Sequence, residues 1–218
     1  MNNTTSGRLV LASKSPRRRE ILNLIGVPFE LRGAKGETLP WRTEKAEDSA
    51  RRLASEKALE VAGHFEDALV LGADTLVSLE GEIFGKPTSI QEALLMLDRL
   101  RGKCHQVVTG MALVDVPSGR VWVDHRTSTV VMRSYSREEI LHYVAVGEPM
   151  DKAGAYAVQD SSFAPAERVE GCYLNVVGLP LCVLAPLLEE EGFPLEVKVE
   201  EVAARCPQCV LIPKGRGG

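Results

Sequence analysis

The chain has 218 residues, 44% of them hydrophobic, and a formal net charge of −4, which suits one globular domain. The acidic balance argues against general nucleic-acid binding, and no apolar run approaches the length of a membrane span. Residues 1–8 are mostly polar and lack the apolar core of a signal peptide, so we expect a cytoplasmic protein. Five scattered cysteines do not resemble a secreted disulfide framework.

A short turn near the start of the chain joins a predicted strand to a predicted helix. Leu9–Ala12 is an apolar run typical of a buried strand. Ser15 is a good helix N-cap, and Pro16 suits the first helical position because its missing N–H costs nothing there. We therefore expect a helix that begins at about Pro16.

The first turn of that helix is strongly basic. It carries three consecutive arginines, Arg17, Arg18 and Arg19. Each cation there lies against the positive end of the helix dipole, which costs about 0.3–1 kcal/mol unless an anion binds. Together with the hydroxyls of Ser13 and Ser15, the turn predicts either a polyphosphate site or a solvated basic patch.

The next elements are a short strand, a loop and a long helix. Phe29–Leu31 reads as the strand, and Gly33–Arg42 is a polar loop that contains Glu37. The apolar stripe of Ala46–Gly63 predicts the helix, with Lys57 on the stripe itself. A lysine on an inward face either snorkels to the edge or reaches into a site.

A carboxylate interrupts the next strand pattern. Ala68–Ala73 is apolar throughout and runs directly into Asp74 and Thr75. Burying an ionised carboxylate is costly unless it is paired or binds a metal, so Asp74 is the foremost catalytic candidate. The alternative is an aspartate that only accepts hydrogen bonds from neighbouring backbone amides. Further along, Pro87 favours an extended conformation at Lys86.

The second half of the chain alternates between strand and helix patterns. The predicted elements are a helix from Ser89 to Leu100, a hairpin of His105–Val116 and Arg120–Arg133, a helix over Arg137–Val146, a strand over Arg168–Val177, a helix over Pro180–Gly192 and an edge strand over Leu195–Val199. Gly147–Gln159 is rich in glycine and charge and has little periodicity, which is typical of a functional loop.

Clustered cations, hydroxyls and a buried carboxylate are typical of phosphoanhydride hydrolysis. That chemistry needs phosphate charge to be neutralised and a water to be activated. Arginines and lysines suit the first task, and carboxylates that hold Mg²⁺ or Mn²⁺ suit the second. The sequence contains no Walker A pattern, so an ordinary P-loop enzyme is not expected.

Seven short motifs occur in a fixed order between residues 8 and 194. They are Ser13–Leu22, Arg52–Ala58, Gly72–Val77, Gly85–Pro87, His105–Gly110, Gly147–Tyr156 and Asn175–Leu181. The set resembles the Maf family of nucleoside triphosphate pyrophosphatases. The resemblance implies an α/β fold with a mixed, strongly twisted sheet flanked by helices and two lobes around a central cleft. It also implies cleavage of a nucleoside triphosphate to the monophosphate and pyrophosphate, and it suggests a homodimer.

The resemblance also assigns roles to residues. Asp74 matches the proposed catalytic base. The phosphate-handling positions are Arg17, Arg18, Lys57 and Lys86, beside the hydroxyls of Ser13 and Ser15. The family often has an acidic pair in the loop after the first helix, where this chain has only Glu37. Glu37 is therefore the candidate partner of Asp74 in holding the divalent metal.

The run Asp151–Gln159 is similar to the branch of the family that acts on dTTP and UTP. In that branch Arg17, Thr75 and Gln159 match specificity positions. A glutamine amide offers both a donor and an acceptor, which suits the imide edge of uracil or thymine.

Two other functions remain open. The chain could act on another nucleotide, such as a modified purine nucleotide, although Gln159 argues against it. It could also be a non-catalytic regulator of cell division that binds nucleotides or nucleic acid, although such a binder has little use for Asp74 facing phosphates.

We expect a catalytic domain over residues 1–194 and a flexible extension over residues 195–218. The extension contains Cys206 and Cys209 in a Cys-x-x-Cys pair. Because structural zinc usually needs four ligands, this pair predicts ordinary thiols. The alternatives are a metal shared across a dimer or a redox pair.

Overall fold

The computed structural model describes residues 7–36, 43–146, 149–207 and 209–212. These ranges contain one mixed sheet, whose strands are β1 (Leu9–Leu11), β2 (Phe29–Leu31), β3 (Leu69–Leu79), β4 (Glu82–Phe84), β5 (Cys104–Asp115), β6 (Arg120–Met132) and β7 (Ala166–Glu170). The helices are α1 (Pro16–Leu22), α2 (Ala46–Ala62), α3 (Ile90–Leu100), α4 (Arg137–Ala145), α5 (Tyr173–Val177), α6 (Leu181–Glu190) and α7 (Val199–Arg205).

The sheet has the order β2-β1-β3-β5-β6-β7, and β4 pairs with the C-terminal end of β3. Strand β1 runs parallel to β2 and β3, whereas the other pairs are antiparallel. This mixed α/β architecture confirms the expected fold class. Its register places Asp74 opposite Gly110 and Thr75 opposite Thr109 on β5.

Strand β3 passes from one apolar core to another. Leu71 and Ala73 pack in a core shared with α1 and α6. Val77 packs in a second core with α3 and α4. Because side chains alternate along a strand, Thr75 faces the same side as these residues and lies between the two cores. Asp74 points to the opposite side, toward α2.

Helix α2 lies directly on the sheet because the two strand positions beneath it are glycines. A Cβ on Gly72 would come within 2.2 Å of the carbonyl oxygen of Ala54, and one on Gly110 within 2.2 Å of that of Ala50. The absence of these side chains allows the close approach of helix and sheet. The approach brings Lys57 of α2 over the middle of β3.

The prediction of one strand over Arg168–Val177 is wrong. Strand β7 ends at Glu170, and the chain turns at Gly171, whose φ of +101° favours glycine. Cys172 then caps α5, its sulfur accepting a hydrogen bond from the backbone N–H of Asn175. The local turn and cap therefore override the β-branched composition of this segment.

The C-terminal segment also differs from its prediction. Leu195–Val199 forms no strand, although Glu196 and Lys198 donate backbone hydrogen bonds to the carbonyls of Ile25 and Leu24. Helix α7 follows, and Val202 is fully buried in the first core. The described part of residues 195–212 is thus packed on the domain.

None of the helices in the described ranges combines the length and the apolar character that crossing a membrane requires.

Candidate active site

A cleft of about 800 Å³ opens beside the middle of β3. It is lined by nine of the residues predicted for the site, Ser13, Ser15, Arg17, Arg18, Lys57, Asp74, Thr75, Lys86 and Gln159. They come from α1, α2, β3 and three separate loops. The remaining candidate, Glu37, lies outside the described residues.

The basic turn has the capped geometry that its sequence predicts. The Ser15 hydroxyl accepts a hydrogen bond from the backbone N–H of Arg18 at 3.5 Å, and Pro16 is the first residue of α1. The Ser13 hydroxyl accepts one from the backbone N–H of Ser15 at 3.2 Å. Both hydroxyls therefore hold the shape of the turn while they line the cleft.

Arg18 is fixed in the wall of the cleft by three neighbours. Its guanidinium donates to the carbonyl oxygen of Gly178 at 2.9 Å, to Thr75 Oγ1 at 3.0 Å and to Ser13 Oγ at 3.4 Å. Burial lowers the pKa of Arg18 from its usual range, and the attraction of Asp74 opposes this shift. The cleft thus contains a positive charge that is already in place.

Asp151 joins the basic turn to the loop that precedes β7. Its carboxylate accepts hydrogen bonds from Lys152 Nζ at 2.6 Å and from Arg17 at 3.3 Å. Burial raises the pKa of Asp151, but these two cations outweigh that effect and lower it. The sequence showed Asp151 and Lys152 within a motif, but their pairing with Arg17 spans more than a hundred residues.

Lys57 reaches into the cleft instead of snorkelling to its edge. Its Nζ contacts Asp74 Oδ1 in an ion pair, and the two side chains are only 18% and 14% exposed. This pairing explains how a carboxylate is tolerated in the middle of β3. The alternative, an Asp74 held only by backbone amides, is not what the structure shows.

Lys86 is positioned by the loop that carries Gln159. The backbone N–H of Gly154 donates to the carbonyl oxygen of Gly85 at 3.0 Å, which ties the two segments together. Gly154 has a φ of +69°, and a Cβ there would come within 3.0 Å of Val77. Lys86 and Gln159 are both exposed to solvent at the mouth of the cleft.

A buried polar network supports the floor of the cleft, and the sequence did not reveal it. Thr75 Oγ1 lies 2.9 Å from Thr109 Oγ1, which donates to the carbonyl oxygen of Asn175 at 2.8 Å. The fully buried Asn175 amide donates to Ser128 Oγ and to the carbonyl oxygen of Val107, each at 2.9 Å. The sequence feature that could have indicated this network is Asn175, a single asparagine in the apolar run Asn175–Leu181.

Comparison with known proteins agrees with this arrangement. A family model described as Maf-like protein matches residues 8–191. The chain belongs to the Maf-like family.

Relatives of this Maf-like chain share most of its length. A protein of Thermomicrobium roseum named dTTP/UTP pyrophosphatase is 47% identical over 207 residues, which is 94% of both chains. A protein of the same name from Pelotomaculum thermopropionicum is 46% identical over 85% of this chain and 97% of its own. A solved HAM1 protein from Coxiella burnetii aligns with a TM-score of 0.39 and 15% identity over 59% of this chain and 74% of that chain, which is too distant to assign a function.

The described part of the Maf-like cleft offers few metal ligands of its own. Its carboxylates there are Asp74 and Asp151, and no group of three or more acidic, histidine or cysteine side chains among the described residues is placed to hold a metal. Mg²⁺ is commonly bound by one or two carboxylates, with substrate phosphates as further ligands. Asp74 therefore fits a divalent ion that is bound together with a triphosphate.

Proposed function

We propose that this chain hydrolyses nucleoside triphosphates, preferably dTTP and UTP, to the monophosphate and pyrophosphate, as a house-cleaning enzyme of nucleotide pools. The observation that carries the proposal is the Lys57–Asp74 ion pair within a cleft whose described charged residues, apart from Asp74 and Asp151, are all cations. The name dTTP/UTP pyrophosphatase, borne by relatives that align over nearly the whole chain, supports the choice of substrate.

The triphosphate lies against the basic turn, with Ser13 and Ser15 as hydroxyl donors. Lys57 and Lys86, which both line the cleft, neutralise phosphate charge. Arg18 adds a positive charge that is already fixed by the protein, so no reorganisation is needed when charge develops in the transition state.

Asp74 orients a water molecule and accepts its proton. The water oxygen forms a bond to the α-phosphorus while the bond from this phosphorus to the bridging oxygen breaks, and pyrophosphate leaves with the electron pair. Asp74 and Glu37 would hold a divalent ion, Mg²⁺ or Mn²⁺, which would supply Lewis-acid polarisation of the phosphate oxygens and a more acidic water. The ion pair with Lys57 holds the Asp74 carboxylate in the cleft.

We assign base selection to Gln159, Thr75 and Arg17, all of which line the cleft. Gln159 pairs with the imide edge of uracil or thymine through its amide donor and acceptor. Thr75 contributes through shape, because its hydroxyl is already engaged by Arg18 and Thr109. Arg17 is held by Asp151 beside the same opening.

Two further expectations belong to this proposal. The family resemblance indicates a homodimer, and the composition together with the scattered cysteines indicates a cytoplasmic enzyme. The nucleoside triphosphate is the partner we expect, with neither a membrane nor a nucleic acid required.

The proposal is tested with a panel of canonical and modified nucleoside triphosphates in the presence of Mg²⁺ or Mn²⁺. We expect pyrophosphate and monophosphate from dTTP and UTP, with the oxygen of H₂¹⁸O in the monophosphate. Label in pyrophosphate would show attack at the β-phosphorus instead. Turnover of a modified purine nucleotide alone would overturn the base assignment. Binding of nucleotide without any turnover would favour the non-catalytic regulator.

A further inference from the structure

Four of the five cysteines meet where the C-terminal segment packs on the domain. Cys172 caps α5, Cys182 lies in the first turn of α6, Cys206 caps the end of α7, and Cys209 follows it. All four belong to or pack against the first apolar core, and none of them forms a disulfide. The function proposed above uses none of these thiols.

Their sulfur atoms lie close together. The Sγ atoms of Cys172 and Cys182 are 4.0 Å apart. A tetrahedral Zn²⁺ with Zn–S bonds of about 2.3 Å separates its sulfurs by about 3.8 Å, whereas a disulfide requires about 2.05 Å. The observed spacing therefore matches two ligands of one metal far better than a disulfide.

The thiols also influence one another as a single group. The hydrogen bond between Cys172 and Cys182 raises the pKa of the first thiol and lowers that of the second. Burial is the largest cause that raises the pKa of Cys206 and of Cys209, and the neighbouring thiols raise it further. Each of the six pairs among the four thiols is linked by a hydrogen bond or by an electrostatic interaction.

Backbone N–H groups point at the same sulfurs. Asn175 donates to Cys172 Sγ at 3.4 Å. Hydrogen bonds from the backbone of Tyr173 and Leu174 act to lower the pKa of Cys206, and one from Leu211 does so for Cys209. Arg126 has the same effect on Cys182. These donors offset only part of the opposing effects, because the pKa values of Cys172, Cys206 and Cys209 all remain raised. The thiol protons are therefore lost only when a metal binds.

We propose that Cys172, Cys182, Cys206 and Cys209 form a structural Zn²⁺ site that clamps the C-terminal segment onto α5 and α6. The set supplies the four sulfur ligands that structural zinc requires, two of them in the common Cys-x-x-Cys spacing. In the observed rotamers, no group of three or more potential ligands among the described residues is placed to hold a metal. Zinc binding therefore requires changes of cysteine rotamer. Zinc displaces the thiol protons in the same step.

The proposal rejects a redox role for this Cys-x-x-Cys pair. Redox cysteines are partly exposed and have thiols of low pKa. Cys206 and Cys209 are instead only 3% and 6% exposed. The proposed zinc site also bears on the cleft, since its ligand Cys172 lies only three residues before Asn175 of the buried network beneath the cleft.

The test is the metal content of the full-length protein, measured after purification and after chelation followed by exposure to Zn²⁺. We expect one equivalent of zinc per chain in the wild type and in Cys104→Ser, since Cys104 is exposed and lies outside the cluster. We expect loss of stoichiometric zinc in Cys209→Ser.

The wild type is also titrated with Co²⁺, because a serine variant can fail to fold. A thiolate charge-transfer band and the absorption of tetrahedral cobalt, displaced by one equivalent of Zn²⁺, are the expected signals. The proposal is overturned if the wild type binds no zinc or cobalt, if Cys209→Ser keeps full zinc, or if intact mass shows a disulfide within the cluster. None of these readouts depends on nucleotide hydrolysis, so a failure here leaves the proposed function untouched.

Discussion

The guanidinium of Arg18 donates a hydrogen bond to Thr75 Oγ1 at 3.0 Å and thereby connects the basic turn to the strand that carries Asp74. The same group reaches the carbonyl oxygen of Gly178 and the hydroxyl of Ser13. Arg18 thus joins three separate parts of the chain in the wall of the cleft. Its charge serves the phosphates, and its hydrogen bonds set the geometry of the site.

Replacing Arg18 by lysine keeps the charge but removes the planar fork of donors. We expect the free energy of unfolding to fall by about 1–3 kcal/mol, because buried acceptors lose their partner. We also expect kcat/KM to fall. Urea denaturation and steady-state kinetics measure both effects, with Arg19→Lys, on the exposed side of the same helix, as the control. If the two variants had the same free energy of unfolding and the same kcat/KM, the role given to Arg18 would be contradicted.

Asn175 holds the network beneath Thr75 and Thr109. Replacing it by alanine leaves the buried N–H of Thr109 without its side-chain acceptor and removes one hydrogen bond from the Ser128 hydroxyl, which keeps its bonds to the backbone of Cys172. We expect a loss of about 1–3 kcal/mol of stability for such unsatisfied groups, measured by thermal or urea unfolding. Gln91→Ala, at an exposed position of α3, should have little effect. A variant as stable as the wild type would show that the network is dispensable.

His105 makes stability depend on pH in a defined window. Its Nε2 lies 2.7 Å from the hydroxyl of Tyr156, and burial lowers the pKa of His105 to about 4. The unfolded chain, with an ordinary pKa of about 6.5, therefore binds more protons between these pH values. The contribution of the neutral His105 side chain to the free energy of unfolding is therefore complete above about pH 6.5. It falls by up to about 1.4 kcal/mol per pH unit as the pH decreases toward 4.

Chemical denaturation between pH 4 and 7 tests this expectation. His105→Gln should flatten the curve relative to the wild type, whereas the exposed His64→Gln should keep its shape. An unchanged slope in His105→Gln would assign the pH dependence to other groups.

Gln159 is the predicted reader of the base. Replacing it by leucine removes both the donor and the acceptor, so we expect KM for dTTP and UTP to rise by about tenfold or more, with a smaller effect on other bases. Kinetics on four nucleotides measure the change, and Gln91→Leu is the control outside the cleft. An unaltered nucleotide profile would remove Gln159 from base recognition.

The features that the sequence predicted best either depend on neighbouring residues alone or involve a charge whose burial is electrostatically costly. Ser15 and Pro16 specify the start of α1 through the backbone chemistry of a few neighbouring residues. Asp74 and Lys57 could be singled out because a charge on an apolar strand or stripe requires a partner. The structure showed that each is the partner of the other.

The features that escaped prediction depend on residues far apart in the chain or on a single special backbone position. The turn at Gly171 ended a segment that otherwise resembled one strand. Thr109 and Asn175 are 66 residues apart, and their hydrogen bonds exist only after the sheet and α5 have packed. The packing of Cys172 and Cys182 in the same core as Cys206 and Cys209 also depends on the fold, because these residues are distant in the sequence.

The measurement that tests the proposed function most directly is pyrophosphate release from dTTP and UTP by the wild type and by Asp74→Asn. Asparagine has nearly the same shape and still accepts a hydrogen bond from Lys57, but it cannot take up the proton of the attacking water. We predict that kcat falls by about 10²–10⁴-fold while the thermal unfolding midpoint changes little. Retention of most of the wild-type kcat in a folded Asp74→Asn variant would contradict the catalytic role assigned to Asp74.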